Sequence, residues 1–284
     1  MDREISEALS AVPSGALAVP ALPEGEGIAF SLVVPTYNER HNLTELIARL
    51  KPHVISEVGD SYEIIVVDDN SPDRTWEIAA ALAAADRHVL ALNRTGERGL
   101  ATAVVRGWQA ARGRWLGVID ADLQHPPEVV AQLLAAMRQG ADLAVASREA
   151  AGGGVSDWSL LRQLISRGSR ALGRMLVPGS FESVSDPMTG YFVVRRTVLQ
   201  NVLLAPCGYK ILAELLVRFS FSNVVEVGYI FCSRRRDQSK ASIKVFLDYI
   251  RHLFRLRAAL RELRRTDRGS TSLKVPASAR AHRP

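Results

Sequence analysis

Between residues 28 and 147 the chain repeats one unit: a short run dense in Val, Ile and Leu, a polar turn, then a longer stretch with helical spacing. The apolar runs are residues 28–35, 63–69, 88–92, 115–120 and 142–147. The helical stretches are 42–56, 75–85, 99–111 and 128–139. In the first of these, Leu43, Leu46, Ile47 and Leu50 fall at i, i+3, i+4 and i+7, one face of a helix. The strand runs are nearly continuous in apolar residues, as expected of strands buried on both faces. Repeated strand–helix units of this kind predict an α/β fold: a mostly parallel central sheet with helices on both faces.

The alternation breaks at Gly152-Gly153-Gly154. A helix is expected over residues 158–177, a strand over 191–194, a helix over 212–218 and a late strand over 224–232. A long amphipathic helix is expected over 242–264. The organisation that follows is a flexible N-terminal tail over 1–28, an α/β domain over 29–238, a basic amphipathic helix over 239–265 and a disordered polar tail over 266–284. With 284 residues, 47% of them hydrophobic, the chain can bury a sizeable core. Cys207 and Cys232 make no disulfide framework and fit a reducing compartment. No uncharged apolar stretch reaches the length of a membrane span, and no secretory leader is expected at the start. The net charge of +6 is modest, but eight Lys or Arg against two acids lie between Lys240 and Arg265. Such a segment meets phosphorylated ligands, anionic lipid or nucleic acid.

In an open parallel sheet, ligands bind outside the carboxyl ends of the strands. Four of the five expected strand ends carry acidic and polar residues: Pro35-Thr36-Tyr37-Asn38-Glu39, Asp68-Asp69-Asn70-Ser71-Pro72-Asp73, Asp120-Ala121-Asp122 and Ser147-Arg148. The third is the most telling. If the strand conformation persists through it, Asp120, Asp122 and Gln124 point to one side and offer three hard oxygens, suited to Mg²⁺ or Mn²⁺. The competing reading of that stretch is an acidic strand-to-helix turn, with Pro126-Pro127 opening the next helix. Two familiar nucleotide sites are missing: no G-x-G-x-x-G follows the first strand, and no G-x-x-x-x-G-K-[ST] occurs.

Taken together, Pro35-Thr36-Tyr37-Asn38-Glu39, Val66-Val67-Asp68-Asp69-Asn70-Ser71-Pro72-Asp73, Asp120-Ala121-Asp122-Leu123-Gln124-His125-Pro126-Pro127-Glu128 and Asp186-Pro187-Met188-Thr189-Gly190-Tyr191-Phe192 resemble the family 2 glycosyltransferases. Cys207-Gly208-Tyr209-Lys210-Ile211-Leu212 and Ser239-Lys240 extend the resemblance to the dolichol- and polyprenol-phosphate mannose synthases within that family, over residues 30–255. The resemblance implies a GT-A fold and transfer of a hexose, mannose from GDP-mannose above all, from a nucleotide sugar to a dolichyl or polyprenyl phosphate. It implies that Pro35, Tyr37 and Glu39 hold base and ribose, and that Val66 and Asp68 hold the base side of the donor. It gives Asp120, Ala121, Asp122 and Gln124 to the metal and diphosphate. Arg148, Lys210, Arg234 and Lys240 would surround phosphates and sugar, with Asp122 and Arg234 as catalytic residues. Arg148, Arg162 and Ser166 would meet the acceptor phosphate. No nucleic-acid partner is implied. UDP-glucose or a UDP-N-acetylhexosamine as donor, and a non-catalytic binder of nucleotide sugar or nucleic acid, are the alternatives.

Beside the metal stretch, His125 reads as turn structure, and Glu214 as an i, i+4 ion-pair partner of Lys210. Asp186, before Pro187 and Gly190, reads either as a cap or as a residue shaping the acceptor site. Two positions depart from the family pattern, Arg74 and Asp237, where glycine is usual. Glycine permits positive φ, so an altered loop is expected at each. Ile243, Phe246, Leu247, Ile250, Leu253, Phe254 and Leu260 form an apolar stripe among basic residues. It lies in a membrane interface, packs on the core or meets a membrane partner subunit. A lipid acceptor implies peripheral attachment at the cytoplasmic face of a membrane.

Overall fold

The computed structural model describes residues 7–22, 27–156, 168, 171–200, 202–206, 209–232 and 250–262. Ten strands are described: β1 (Leu9–Ser10), β2 (Ile28–Thr36), β3 (Tyr62–Asp68), β4 (Val89–Asn93), β5 (Gly113–Val118), β6 (Leu143–Ser147), β7 (Gly154–Val155), β8 (Phe192–Arg195), β9 (Val224–Gly228) and β10 (Ile230–Phe231). Eight of them form one sheet in the order β1-β4-β3-β2-β5-β8-β6-β9. Every neighbouring pair is parallel except those made by β8, which runs antiparallel to both β5 and β6. The six named helices are α1 (Leu43–Val58), α2 (Thr75–Ala85), α3 (Leu100–Ala110), α4 (Val129–Arg138), α5 (Arg196–Leu199) and α6 (Ile211–Arg218).

Alternation along the strands divides the core in two. Val33, Ile65, Val67, Leu116 and Val118 face the side covered by α3, α6 and the helix at 250–262. Phe30, Leu32, Val34, Ile64 and Val66 face the side covered by α1 and α4. The predicted stripe Leu43, Leu46, Ile47 and Leu50 is the buried face of α1, joined by Val54. Gly107 of α3 packs so closely on β2 that a Cβ would stand 2.6 Å from Val33, which lets the helix settle against the sheet.

The structure changes three expectations about the backbone. Residues 7–22 are not a loose tail. β1 adds a parallel strand beside β4, Val19 is buried, and backbone carbonyls along this segment are claimed by side chains of the domain. Arg106 Nη2 donates to Gly15 O (3.0 Å), Gln109 Nε2 to Ala16 O (2.7 Å) and Ala18 O (3.0 Å), and Arg196 Nη1 to Pro20 O (3.1 Å). The late strand is two: β9 joins the main sheet, whereas β10 pairs with β7. Between them Gly228 lies against the Ala151 carbonyl, closer than any Cβ could approach. Finally, β5 ends at Val118 instead of continuing to Asp120.

Of the helix expected over 158–177, residues 171–176 are helical, and most of the rest lies outside the described residues. Of the long helix expected over 242–264, residues 250–262 are helical. Leu253 and Leu256 enter the core and Leu260 packs against it, while Phe254 is exposed. This part of the apolar stripe therefore covers the protein's own core. Ile243, Phe246 and Leu247 lie outside the described residues. Among the described residues no helix is long and apolar enough to cross a membrane.

Candidate active site

The carboxyl ends of β2, β3, β4, β5 and β6 share one edge of the sheet, since these strands are mutually parallel or linked in that sense through β8. Because β8 is antiparallel, residues 186–191 enter it at that same edge, and Phe192 pairs with both Val118 and Val145. The polar strand ends and the Asp186–Tyr191 segment are thereby gathered into one place. The four non-glycine residues with positive φ among the described residues are Asn38, Asn70, Arg74 and Leu123. All four stand in the loops after β2, β3 and β5. Unusual backbone concentrated at one edge marks a functional surface. Arg74, at φ 64° and ψ 33°, occupies the left-handed conformation that glycine would adopt freely.

The turn at 121–123 overturns the premise that Asp120, Asp122 and Gln124 alternate along a strand. Leu123 has φ 58°, and Asp122 Oδ1 accepts from the Gln124 backbone N–H (3.1 Å). Gln124 is buried and grips the end of β10 from both sides. Its Nε2 donates to Cys232 O (3.1 Å), and its carbonyl accepts from Cys232 N (2.9 Å). Asp120 and Asp122 remain at the mouth, both partly exposed, with Ala121 buried between them. The Asp120 carboxylate lies over Gly190, where a Cβ would meet Oδ2 at 2.5 Å. Behind it, His125 is buried with Nε2 3.5 Å from Asp120 Oδ2 and Nδ1 2.8 Å from the Tyr229 hydroxyl. The imidazole is packed among Tyr191, Tyr229 and Phe231, so it orients Asp120 from below and does not face solvent.

Two cations, Arg148 and Lys210, stand near Asp120. Arg148 forks onto Asp186, Nε to Oδ2 (2.6 Å) and Nη2 to Oδ1 (2.7 Å), and lies 5.4 Å above the Phe231 ring. Asp186 is fully buried. Burial raises its affinity for a proton, but the Arg148 guanidinium outweighs this and holds the carboxyl below its ordinary range. Asp186 is thus not a cap: it fixes the direction of Arg148. Lys210 Nζ donates to Met188 O (2.8 Å). Burial lowers its pKa, Arg148 adds to that, and Asp120 and Asp186 oppose it. These mutual effects place Lys210 within the field of both the acidic and the cationic groups.

The nucleotide-side residues divide in two. Pro35 and Thr36 end β2 opposite Val67 and Asp68, and Tyr37 is 37% exposed on the loop that follows. The Arg98 guanidinium stands 5.5 Å over its ring. Glu39 begins the turn into α1, its Oε2 accepting from Asn42 Nδ2 (2.8 Å). Val66, in contrast, is core and its side chain does not reach the cleft. Asp68 is fully buried and accepts from Thr36 Oγ1 (2.7 Å), Ser71 N (2.8 Å) and Ser71 Oγ (2.6 Å). Burial raises its pKa, and these donors oppose the rise.

Sequence reasoning missed the neighbouring pair. Asp69 is buried against Arg94, with Arg94 Nε 2.7 Å from Oδ1, and its Oδ2 accepts from Gly99 N (2.7 Å). A cation two residues past the strand expected at 88–92 was the available signal. Glu214 also differs: it pairs with Arg218, not Lys210, and accepts from Ala205 N (3.0 Å). α6 begins only at Ile211, so Lys210 has non-helical φ −116° and ψ 68° and its side chain leaves toward Met188. Arg162, Ser166, Arg234, Asp237 and Lys240 lie outside the described residues.

A mostly parallel sheet with Asp120, Asp122, Arg148 and Lys210 at its carboxyl edge fits a GT-A fold. Residues 31–203 match the model of glycosyl transferase family 2, and the chain belongs to that family. The dolichol-phosphate mannosyltransferase of Pyrococcus furiosus is 45% identical over 226 residues, which cover 80% of this chain and 63% of that protein. The chain thus spans less than two thirds of that relative's length. The dolichol-phosphate mannosyltransferase of Mycosarcoma maydis is 37% identical over 234 residues, covering 80% of this chain and 78% of its own. Among solved structures, glucosyl-3-phosphoglycerate synthase from Mycobacterium tuberculosis, in complex with Mn²⁺, UDP-glucose and phosphoglyceric acid, superposes with a TM-score of 0.62. It is 21% identical over 88% of each chain, a likeness of fold.

Proposed function

We propose that the enzyme transfers mannose from GDP-mannose to a dolichyl or polyprenyl phosphate. The observation that carries this reading is the gathering of Arg148 and Lys210 near Asp120 at one sheet edge, with Asp122 two residues on, in a chain 45% identical to a named dolichol-phosphate mannosyltransferase. Asp120 and Asp122 fit Mg²⁺ or Mn²⁺. They are hard oxygen donors at the mouth, and such ions are commonly held by one or two carboxylates plus substrate phosphates. That set suffices although the described residues gather no group of three or more His, Cys, Asp or Glu side chains for a metal. A bound divalent ion would neutralise charge developing on the departing diphosphate. Gln124, tied to Cys232, would brace this turn, and Ala121 would leave room beside it.

The remaining steps belong to the chain. Pro35, Tyr37 and Glu39 would receive base and ribose, and Asp68 would hold the loop that presents Tyr37, with Val66 supporting it from the core. Arg148, aimed by Asp186, and Lys210 would stabilise phosphate charge in a preorganised field. Arg234 and Lys240 would complete the phosphate side, with Arg162 and Ser166 at the acceptor. The acceptor phosphate oxygen is ionised near neutral pH, so the attack needs no strong general base. The catalytic unit would be residues 29–238. Residues 239–265 would carry it at the cytoplasmic face of a membrane, against lipid or a membrane partner subunit.

Single in-line displacement inverts the anomeric carbon, so an α-linked donor yields a β-linked lipid phosphate. Purified chain with labelled GDP-mannose, polyprenyl phosphate and Mn²⁺ is expected to give the β-mannosyl product, with UDP-sugars inert. An α-linked product contradicts single displacement, and faster transfer from UDP-glucose contradicts the donor assignment.

A further inference from the structure

We infer that Arg98 selects the nucleobase: it leaves the face of Tyr37 when a base stacks there and donates two N–H groups to the O6 and N7 edge of guanine. This rests on the placement of the donor base at Tyr37 given above. Three observations carry it.

The first is position. Tyr37 is exposed at the end of β2, and the Arg98 guanidinium, itself exposed, stands 5.5 Å over its ring. An aromatic face at a nucleotide site is a stacking platform for any base, because every base has a π-face, so Tyr37 alone cannot distinguish one base from another. Arginine is the side chain that both stacks on an aromatic ring and reads a guanine edge through its fork. A base settling on Tyr37 takes the space that Arg98 covers, and the displaced guanidinium is then adjacent to the rim of that base.

The second is the anchor beneath Arg98. The buried Asp69 accepts from Arg94 Nε (2.7 Å) and from Gly99 N (2.7 Å). Arg94 in turn donates to Gly99 O (3.0 Å) and Thr102 Oγ1 (3.0 Å). Gly99, next to Arg98 in sequence, has φ 123°, which a residue with a side chain adopts only under strain. The residue before this glycine is therefore held by a fixed turn, so its long side chain hinges from a constant point while its tip is free to exchange partners. That turn is tied through Asp69 to the end of β3, one residue from Asp68, which positions the Tyr37 loop through Ser71 and Asn38 N (3.0 Å). Platform and reader are thus mounted on two consecutive aspartates, Asp68 and Asp69.

The third is charge. Among the described residues, nearby cations of this edge are committed elsewhere: Arg94 to Asp69 and Arg40 to the Asp73 and Arg74 carbonyls (3.2 Å each). Arg98 is the cation directed at the aromatic ring.

The test is calorimetric binding of GDP, 7-deaza-GDP and UDP to the full chain in Mn²⁺, wild type against Arg98→Ala and Arg98→Lys. 7-Deaza-GDP lacks the N7 acceptor and keeps everything else. A bidentate contact to a base edge is worth roughly tenfold in affinity. The wild type is expected to bind GDP about tenfold more tightly than 7-deaza-GDP, on that same basis. Arg98→Ala should lose this difference, Arg98→Lys should keep only part of it because an ammonium reaches the guanine edge without the planar fork, and UDP binding should stay unchanged in both. Equal weakening of GDP and UDP in Arg98→Ala would make Arg98 a phosphate contact or a prop for Tyr37 and overturns the inference. So does a GDP preference that survives intact in both variants, and in that outcome the mannosyl-transfer reading stands. A wild-type chain that binds UDP more tightly than GDP overturns the guanine assignment and this inference with it.

Discussion

Four aspartates at the carboxyl edge do two kinds of work, and burial separates them. Asp68 and Asp69 are enclosed and fully occupied by hydrogen bonds from the loops around them, whereas Asp120 and Asp122 keep partial exposure at the mouth. The spacing of residues alone could not reveal this, because all four carry the same chemistry at the ends of apolar runs. Nor could it reveal that Asp186 is the partner of Arg148, 38 residues away in sequence. Lys210 offers a pH test. Its pKa is lowered by burial first and by Arg148 second, so it loses its proton at a lower pH than an ordinary lysine. If its charge stabilises the leaving group, the rate falls on the alkaline side as pH rises through that lowered value. Lys210→Arg, which stays charged, should move that limb to higher pH. Lys210→Ala should lower kcat/KM about 100-fold, the scale of one preorganised donor. An alkaline limb unmoved in Lys210→Arg would mean that another group sets it.

At the scale of elements, what was legible followed from periodicity, and what was not followed from hydrogen bonds between distant segments. The core strands and helices α1 to α4 and α6 were foreshadowed by apolar runs and by spacing such as Leu43, Leu46, Ile47, Leu50. The docking of residues 7–22 was invisible, because Leu9, Val12, Leu17 and Val19 are spaced among Ala, Pro and Ser without a helix or strand period, and the carbonyls between them are claimed by side chains distant in sequence. The metal stretch was identified, but its conformation was not, since one left-handed residue, Leu123, breaks the alternation that the reading required. Arg196 shows how such docking is secured. It is almost wholly buried and donates to Gly113 O (2.8 Å), Ala111 O (2.7 Å) and Pro20 O (3.1 Å), joining the N-terminal segment to the entry of β5. Burial lowers its pKa to about 10, so it stays charged at neutral pH. Arg196→Leu strands three carbonyls and should cost about 4.5 kcal/mol or more, at roughly 1.5 kcal/mol for each charged hydrogen bond lost. Thermal melting measures this, and transfer per folded molecule should be unchanged. A melting temperature equal to that of the wild type would show that the segment is held by other contacts.

For the molecule as a whole, the charge distribution and the acceptor point the same way. The basic segment from Lys240 to Arg265 follows a domain whose proposed substrate is a lipid phosphate. Its described part already buries Leu253 and Leu256 in the protein core and leaves Phe254 at the surface. The helix is therefore fastened to the domain on one side, which leaves the opposite side and the basic residues to meet a membrane. Removing residues 242–265 should reduce partitioning onto liposomes of anionic lipid and should also lower the melting temperature, since core contacts are lost with it. Phe254→Ser tests the membrane contact without the core penalty and should weaken partitioning alone. Unchanged partitioning in both would assign the helix to the core or to a partner protein.

In the proposed reaction Asp120 and Asp122, with Arg148 and Lys210 near Asp120, hold the leaving diphosphate while the lipid phosphate supplies the nucleophile. This division of roles is tested most directly by the initial rate of mannosyl transfer from GDP-mannose to polyprenyl phosphate in Mn²⁺, wild type against Asp122→Ala. The variant is expected to lose at least about 100-fold in rate with its melting temperature within a few degrees of wild type, because Asp122 is a partly exposed turn residue outside the core. Undiminished transfer by Asp122→Ala would contradict it.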